Sequence, residues 1–335
     1  MGVTMKKSRT LKVLSAVLVA GFALAGCSSA DVDSDADSAA SQGNWPRTVE
    51  TPKGPVEITS KPERIVSTSV TLTGTLLSID APVVATASTG PNTDVSDAQG
   101  LFTQWGDIAE ERGLAVLPMG GANAESVLAQ NPDLIVVSAT GGDSVVDLYE
   151  QFTAIAPTIV VDYGGSSWQE VAAVLGKATG LEDNAAATVA KFDSAVEAAK
   201  AKITLPPQPT TALVYYEDGS GANIWTHESG QAKLLTAMGF TVADIPESAK
   251  SSESMGKRKD IIQVSAENLY DGIAGNTLIL VSADDGAVKA VEALPLLAQH
   301  PAIRDHHVYA VGLDTFRLDY YSATNMVNRL VEQFS

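Results

Sequence analysis

Arg317 is the side chain of this sequence with the clearest capacity to contact a ligand. It lies between the aromatic residues Phe316 and Tyr320, after a predicted strand and before a predicted helix. In open α/β sheets the ligand crevice lies at the carboxyl ends of the strands, which is where this position falls. A chain with a formal net charge of −18 needs a local basic site for any anionic ligand. We therefore expect the guanidinium of Arg317 to project into a cleft.

A second group of cations and one tryptophan are further candidates. Lys257, Arg258 and Lys259 occupy a loop before the strand-like run 261–262. Charge runs of this kind are usually solvated surface, so binding is one of two interpretations. Trp225 lies among small and polar residues typical of a loop, where it forms either a pocket wall or part of the core. The predicted ligand-binding residues, all basic or aromatic, are Arg317, Arg258, Lys257, Trp225, Tyr320 and Trp105.

The motifs of common enzymes are absent from this sequence. It contains no Gly-x-Ser-x-Gly elbow, no phosphate-binding loop and no His-Glu-x-x-His pair. The run 141–144 reads Gly-Gly-Asp-Ser and lacks the lysine of a phosphate cradle, so it favours a strand-to-helix turn capped by Asp143. The sequence therefore predicts no catalytic residue, no resident cofactor and no enzymatic activity.

The histidines bear on metal binding in the same way. A two-lobed carrier of a bare zinc or manganese ion would need imidazole or carboxylate ligands from both lobes. Because the first half of the chain contains no histidine, we predict no metal site. The histidines, all in the second half, are His227, His300, His306 and His307.

Cys27 indicates where the protein is located. It follows Leu24-Ala25-Gly26, an apolar run over 11–24 and the cations of a positive leader. This pattern is typical of a lipoprotein signal, and the apolar run is too short to span a bilayer. The alternative is a buried structural cysteine, and a single cysteine excludes an internal disulfide in either case. We predict a signal peptide over 1–26, lipidation of Cys27 and a membrane-anchored protein.

The residues after Cys27 are small and acidic. The segment 27–44 contains little that could be buried, which predicts a disordered tether. The strong negative charge and the lack of a basic stripe with interleaved aromatic residues argue against nucleic acid as a partner. An apolar content of 45% allows the remaining chain to form an ordinary hydrophobic core.

Short apolar runs alternate with helical patterns along the rest of the chain. This alternation predicts an α/β fold in which mostly parallel sheets are covered by helices on both faces. Predicted strands of the first half are 64–68, 81–87, 133–138 and 158–161, with helices at 71–79, 124–130 and 145–154. Those of the second half are 211–216, 241–245, 277–282 and 307–311, with helices at 228–238, 287–294 and 321–332.

A long helical region separates the two halves. Residues 168–201 are rich in alanine and charged residues and contain no proline, with a predicted break at 179–182. The proline-rich run 205–209 then ends the helix. We predict an N-terminal lobe over 45–167, a linking helix region over 168–204 and a C-terminal lobe over 205–335, enclosing a ligand cleft. The alternative is one larger α/β enzyme domain with this helix as a crossover.

Several of these strings identify a family. From about residue 44 to the C-terminus the chain resembles the ferric enterobactin-binding proteins of bacterial ABC importers, a class III substrate-binding family. The resemblance implies two α/β lobes, one long rigid linking helix and a cleft for an iron chelate. The strings that carry it are Asn-Trp-Pro-Arg at 44–47, the runs 64–74, 138–144 and 205–209, Gly-Lys-Arg at 256–258, and Thr-Phe-Arg-Leu-Asp-Tyr-Tyr-Ser-Ala at 315–323.

The resemblance also implies a ligand and its contacts. A ferric catecholate siderophore is an anion with flat rings, which guanidinium groups can both hydrogen-bond and stack upon. Arg258, Arg317 and Trp225 match residues lining the family's site, and the chelator itself fills the iron coordination sphere. One departure concerns charge: relatives carry an arginine after Pro-Asn-Asn, where this chain has Asp94. A related catecholate or a less charged chelate therefore stays open.

Two acids match the family's docking residues. Glu125 and Glu267, one in each lobe, correspond to the carboxylates that meet arginines of the ABC permease in the cytoplasmic membrane. Each falls in the first turn of a predicted helix, so an interaction with the helix dipole is the local alternative. The predicted location is the outer face of that membrane, which is periplasmic if the cell has an outer membrane.

Two other functions remain as alternatives. A haem or cobalamin carrier of the same class would need an axial ligand such as His227 or a cleft tyrosine. An extracellular siderophore esterase would need a nucleophile such as Ser144 or Ser220, for which the sequence provides no recognisable base.

Overall fold

The computed structural model describes residues 45–118, 122–249 and 259–335. The strands are β1 (Arg47–Val49), β2 (Val56–Ile58), β3 (Ile65–Ser67), β4 (Val83–Thr86), β5 (Ala115–Val116), β6 (Leu134–Ser138), β7 (Thr158–Val161), β8 (Thr210–Tyr216), β9 (Gly221–Trp225), β10 (Ile261–Val264), β11 (Thr277–Leu280) and β12 (Val308–Ala310). The α-helices are α1 (Val70–Ser78), α2 (Gly106–Glu111), α3 (Ala124–Leu128), α4 (Tyr149–Thr153), α5 (Trp168–Thr179), α6 (Glu182–Lys200), α7 (Gly230–Ala237), α8 (Leu269–Gly272), α9 (Asp285–Glu292), α10 (Pro301–Arg304) and α11 (Tyr320–Phe334). Short 3-10 helices lie at Val146–Leu148, Glu247–Ala249, Ala266–Asn268, Pro295–Leu297 and Leu313–Thr315.

The first lobe is built on a parallel sheet with the strand order β5-β4-β3-β6-β7. Successive residues of a strand point to opposite faces, and here both faces are buried. Leu134 and Val136 pack into one apolar cluster, while Ile135 and Val137 pack into another. The structure therefore confirms the predicted parallel sheet with helices on both sides.

The strand order places two loops of this sheet side by side. β3 pairs with β4 on one edge and with β6 on the other, so the chain changes direction along the sheet between β3 and β6. In open α/β sheets such a switch point opens a crevice at the carboxyl ends of the strands. The loops after β3 and after β6 therefore meet at the position where a ligand would bind.

The second lobe contains a mixed sheet with the order β10-β9-β8-β11-β12. β8, β11 and β12 are parallel, whereas β9 is antiparallel to both of its neighbours. The sequence indicated a loop around Trp225, but a tight turn with Gly219 and Gly221 at positive φ returns the chain as β9. The strand predicted over 241–245 is wrong, because this segment forms only an isolated bridge between Val242 and Thr210.

Two helices link the sheets. α5 ends at Thr179, and its C-terminal cap Gly180 adopts the left-handed conformation with a φ of 69° that a glycine tolerates without strain. α6 then runs for 19 residues, about 28 Å at the usual helical rise. The break predicted at 179–182 is therefore present. The C-terminal helix α11 returns from the second sheet to pack on α6 and on α1 of the first lobe.

The described strands of the two sheets lie within 65–161 and 210–310, inside the two predicted lobe ranges. The exact domain boundaries stay a prediction. The predicted signal peptide 1–26, the tether 27–44 and Cys27 lie outside the described residues. Among the described residues, no helix is both long and apolar enough to cross a bilayer.

Candidate ligand-binding cleft

A cavity of about 260 Å³ lies between the lobes. Its first-lobe wall comes from the start of α1 and from the loops after β6 and β7. The second lobe contributes the end of β9, the start of α7, Asp260 and the loop 316–318. The polar, charged and aromatic residues that line it are Thr71, Thr75, Tyr163, Ser166, Trp168, Trp225, Gln231, Asp260, Phe316 and Arg317.

Arg317 lies where three cavities meet. Besides the 260 Å³ cavity it lines one of about 250 Å³ with Phe102 and Phe316. It also lines one of about 410 Å³ with Ser88 and Asp143. Its guanidinium carbon is 5.9 Å from the ring centroid of Phe316. The half-buried Arg317 is thus available to a ligand in any of these spaces, as expected from its position after β12.

The loop that carries Arg317 is held by side chains from three elements. Gln231 of α7 donates Nε2 hydrogen bonds to the carbonyls of Thr315 (2.9 Å) and Phe316 (2.8 Å). The Oγ of Ser322 in α11 donates to the carbonyl of Arg317 at 3.2 Å. These contacts use the backbone of the loop and leave the guanidinium unconstrained. Gln231 was missed by sequence reasoning, since nothing local to α7 indicates its long-range partners.

Asp143 organises the first-lobe side of the cleft. Its carboxylate accepts hydrogen bonds from the Ser69 hydroxyl (2.6 Å), the Thr71 amide (3.1 Å) and the Tyr163 hydroxyl (2.9 Å). Burial opposes ionisation, but these donors and the charge of Arg317 hold the pKa of Asp143 below its ordinary value. The cap predicted for Asp143 thus exists, but at the start of α1, not of the helix that follows it in sequence.

Tyr163 is a cleft residue that sequence reasoning missed. It follows β7 by two positions and donates its hydroxyl to Asp143. Burial and the neighbouring carboxylate raise the pKa of the Tyr163 hydroxyl, so it stays protonated. Its place at the carboxyl end of a parallel strand is the signal that could have found it.

The glycine pair at 141–142 allows the two lobes to approach. Gly141 has a φ of 94°, and a side chain there would collide with the hydroxyl of Tyr163. A Cβ at Gly142 would lie 3.8 Å from a terminal nitrogen of Arg317. The glycines therefore bring the backbone of the first lobe close to the arginine of the second.

Trp225 is both a core residue and a wall of the cleft, the two positions that the sequence left open. As the last residue of β9 it is only 1% exposed and belongs to the core, yet it also lines the 260 Å³ cavity. Its ring meets that of Phe316 edge-on with centroids 5.4 Å apart. Its indole Nε1 has no hydrogen-bond partner among the described residues. Trp225 can therefore contact a ligand from within the core.

Trp105 and Tyr320 are two predicted ligand contacts that the structure places away from the cavities around Arg317. Trp105 is 1% exposed and packs edge-on against Phe102 in the core of the first lobe. Tyr320 packs against Trp168 and Phe192, where α11 meets the linking helices. Neither lines any of the cavities around Arg317. Trp105 is therefore a core residue, whereas the half-buried Tyr320 packs against the core from its side.

The predicted basic loop lies partly outside the description. Lys257 and Arg258 fall in 250–258, which the structure does not describe, so their binding role stays a prediction. Of the neighbouring residues, Lys259 is exposed, whereas Asp260 is buried and lines the cavity. Asp260 is therefore part of the cleft wall.

Asp94 does not line the cavities around Arg317. It is exposed and borders a separate space of about 600 Å³, together with Asp284, Asp314 and Arg329. Gln104 and Leu313 line both this space and the 250 Å³ cavity. Asp94 therefore borders a space that adjoins the 250 Å³ cavity of Arg317 but is separate from it.

The two predicted docking acids are both exposed. Glu125 lies in the first turn of α3, whose cap is Asn123, and Glu267 lies in the first turn of the 3-10 helix Ala266–Asn268. Neither lines a cavity of the cleft. Their local positions fit both a dipole interaction and a contact with a partner.

The other candidate groups have local partners. His227 faces Asp244 at 3.0 Å, and buried His300 contacts the Ile273 carbonyl. The Ser144 hydroxyl donates to the Ser138 carbonyl at 2.7 Å. Within the described part of the chain, no three residues of the histidine, cysteine, aspartate or glutamate type come together as a metal site.

Two α/β lobes, linked by helices and enclosing a cleft with one central arginine, define a substrate-binding protein with a class III periplasmic-binding fold. The chain belongs to the periplasmic binding protein family, whose model matches residues 65–315. Its relatives are binding proteins, in agreement with the prediction that it is not an enzyme.

Individual relatives share most of their length with this chain. The ferric enterobactin-binding periplasmic protein FepB of Escherichia coli O6:H1 is 47% identical over 96% of this chain and 98% of its own. The iron(3+)-hydroxamate-binding protein YxeB of Bacillus subtilis is 27% identical over 92% and 91%. Among solved structures, holo-ViuP is 35% identical with a TM-score of 0.81, covering 88% of this chain and 96% of that one.

Proposed function

We propose that this protein captures a ferric catecholate siderophore outside the cytoplasm and delivers it to an ABC permease for iron uptake. The observation that carries the proposal is the position of Arg317 at the junction of three cavities beside aromatic rings. A ferric tris-catecholate presents anionic oxygens and flat rings, which a guanidinium and indole or phenyl edges can contact together. The 47% identity to FepB supports the same ligand class.

The cleft supports a chelate in preference to haem. No histidine lines the cavities formed by the described residues, and the tyrosine that does, Tyr163, is held protonated beside Asp143. A haem iron would need such a group free as an axial ligand. A siderophore makes no such demand, because the chelator occupies the iron's coordination sphere.

Tryptophan fluorescence tests the ligand class. The purified protein is titrated with a ferric catecholate, a neutral ferric hydroxamate, haem and cobalamin. We expect strong quenching at sub-micromolar concentration by the ferric catecholate alone. Trp225→Phe should reduce the quenching, whereas Trp105→Phe should leave its ligand-dependent part intact, since Trp225 lines the 260 Å³ cavity and Trp105 does not. An equal or stronger response to the hydroxamate would overturn the assignment.

Delivery to a permease is the second part of the proposal. Exposed Glu125 and Glu267 support it, because each leaves its carboxylate free to meet a basic residue of a partner without touching the cleft. Acids at the rim of an interface act mainly on the rate and specificity of docking.

Anchoring through Cys27 is the third part, supported by the leader pattern before that residue. Replacing Cys27 with serine should release the protein from the membrane fraction while ligand affinity stays unchanged. Retention of the variant in the membrane fraction would contradict lipidation at this residue.

A further inference from the structure

The charged residues of the cleft do not add up to a strongly positive site. Each of the three cavities around Arg317 also contains one aspartate: Asp260, Asp314 or Asp143. Among the described residues that line them, Arg317 is the cation and these three are the anions. For a ligand carrying several negative charges, this arrangement is less attractive than the arginine alone.

Asp143 differs from Asp314 and Asp260 in the groups that contact its carboxylate. Asp314 is paired with Arg329, and Asp260 has a further interaction in the fold. The groups that contact the oxygens of Asp143 are instead neutral donors: two hydroxyls and one amide. These donors stabilise the carboxylate without cancelling its charge, and with the nearby charge of Arg317 they lower its pKa, so Asp143 stays ionised at neutral pH.

We propose that Asp143 is a specificity-determining residue that limits how much negative charge the bound chelate can carry. Arg317 attracts an anionic ligand from the second lobe, while Asp143 repels the same ligand across the 410 Å³ cavity. The repulsion grows in proportion to the charge of the ligand, so it acts on a trianion and not on an uncharged molecule. This inference rests on the proposed function, since it assumes that the cleft holds a siderophore.

Asp143→Asn removes the charge while keeping two of the three hydrogen bonds, since only the bond donated by the Tyr163 hydroxyl goes to the second carboxylate oxygen. The amide oxygen of asparagine can still accept from the Thr71 amide and the Ser69 hydroxyl, so the start of α1 keeps its cap. Asp162→Asn is the matched control. Asp162 is also a first-lobe aspartate that accepts local hydrogen bonds, from Thr140 and Gly164, but it is exposed and lines none of the three cavities.

The experiment compares two forms of one siderophore. The ferric tris-catecholate carries three negative charges, whereas its iron-free form is essentially uncharged at neutral pH because phenolic groups are protonated there. We expect Asp143→Asn to lower the dissociation constant of the ferric form by roughly ten-fold, while changing that of the iron-free form by less than about two-fold. Asp162→Asn should alter neither value.

Three results would overturn the proposal. They are an unchanged affinity for the ferric form, an equal gain for both forms, and weaker ferric binding by a variant whose Tm matches the parent. If Asp143→Asn does not fold, Thr89→Lys provides the second test. Thr89 lines two of the cavities with Arg317, and a cation there should tighten ferric binding alone. The absence of that gain would equally reject a charge limit.

The same titrations distinguish the two proposals. A parent protein that does not bind the ferric catecholate contradicts the proposed function. If Asp143→Asn then binds it, the charge limit is supported. If neither protein binds it, both proposals fail.

Discussion

At the residue scale, Arg317 is set apart from the surrounding side chains by the way its loop is held. Gln231 and Ser322 fasten the backbone around it, so the position of the arginine does not depend on its own guanidinium. A side chain placed in this way can be removed without loosening the fold around it. Binding and stability should therefore separate at this position.

We predict that Arg317→Ala raises the dissociation constant of a ferric catecholate without lowering the melting temperature. A charge-assisted hydrogen bond is worth about 1.5 to 3 kcal/mol, which corresponds to roughly ten-fold to a hundred-fold in affinity. Arg304→Ala, which removes an exposed arginine of the same lobe, is the control and should bind normally. Parent-like binding by Arg317→Ala would show that the arginine is not a ligand contact.

At the element scale, the start of α11 is the contact that ties the second lobe back to the first. Asp319 caps this helix by accepting from the amides of Tyr321 and Ser322. It also accepts from Gln104 Nε2 of the first lobe at 3.3 Å. A Cβ on Gly74 of α1 would collide with this carboxylate, so the approach of α11 requires a glycine there.

This buried cap has a consequence for stability against pH. Asp319 is 2% exposed, and burial raises its pKa to about 6 despite its hydrogen bonds. Because the folded state holds the proton more tightly than the unfolded chain, the contribution of Asp319 to stability falls as pH rises from about 4 to 6. The full effect is at most about 3 kcal/mol, at about 1.4 kcal/mol per pKa unit.

We predict that Asp319→Asn removes this loss. The variant should gain stability relative to the parent at pH 7.5 compared with pH 4.5, as measured by urea unfolding at both values. Asparagine is an equally good helix cap, and its amide can donate to the buried Gln104 Oε1, which has no partner among the described residues of the parent. Asp284→Asn, an exposed cap of α9, is the control. An equal stability difference at both pH values would contradict the prediction.

At the scale of the whole molecule, one apolar cluster runs through both lobes and the linking helices. It includes Leu134 of the first sheet, Ile279 of the second, Phe192 of α6 and Met326 of α11. A continuous core of this kind holds the lobes to the linker through packing, not through a flexible strap. The exposed acids Glu125 and Glu267 are therefore carried by two lobes that share one packed core.

We predict that the double variant Glu125→Arg and Glu267→Arg keeps its affinity for the ligand but loses most of its ability to stimulate a reconstituted permease. Reversed charges oppose basic groups on the partner, and a loss of at least about ten-fold is expected. Glu111→Arg with Glu228→Arg makes the same charge change at other exposed positions and should leave transport intact. Normal transport by the Glu125/Glu267 variant would rule out docking through these acids.

The amino-acid sequence by itself determined the local elements and several of the residues around the cleft. Alternating apolar runs and helical patterns predicted most of the parallel strands of both sheets, and the glycine at 180 marked the break between α5 and α6. The position of Arg317 after a strand predicted that it would face a crevice. These inferences succeeded because each depends on periodicity or capping within a short stretch of chain.

The tertiary structure alone decided which distant groups meet. Asp143, Ser69 and Tyr163 come together because β3, β6 and β7 are neighbours in one parallel sheet, which brings the loops after them to one edge. Trp105 and Tyr320 were assigned to the cleft from residue type, whereas in the fold Trp105 is buried in the core and the half-buried Tyr320 packs against Trp168. Local sequence specifies which segments form strands, whereas strand order and burial depend on the free energy of the whole packed chain.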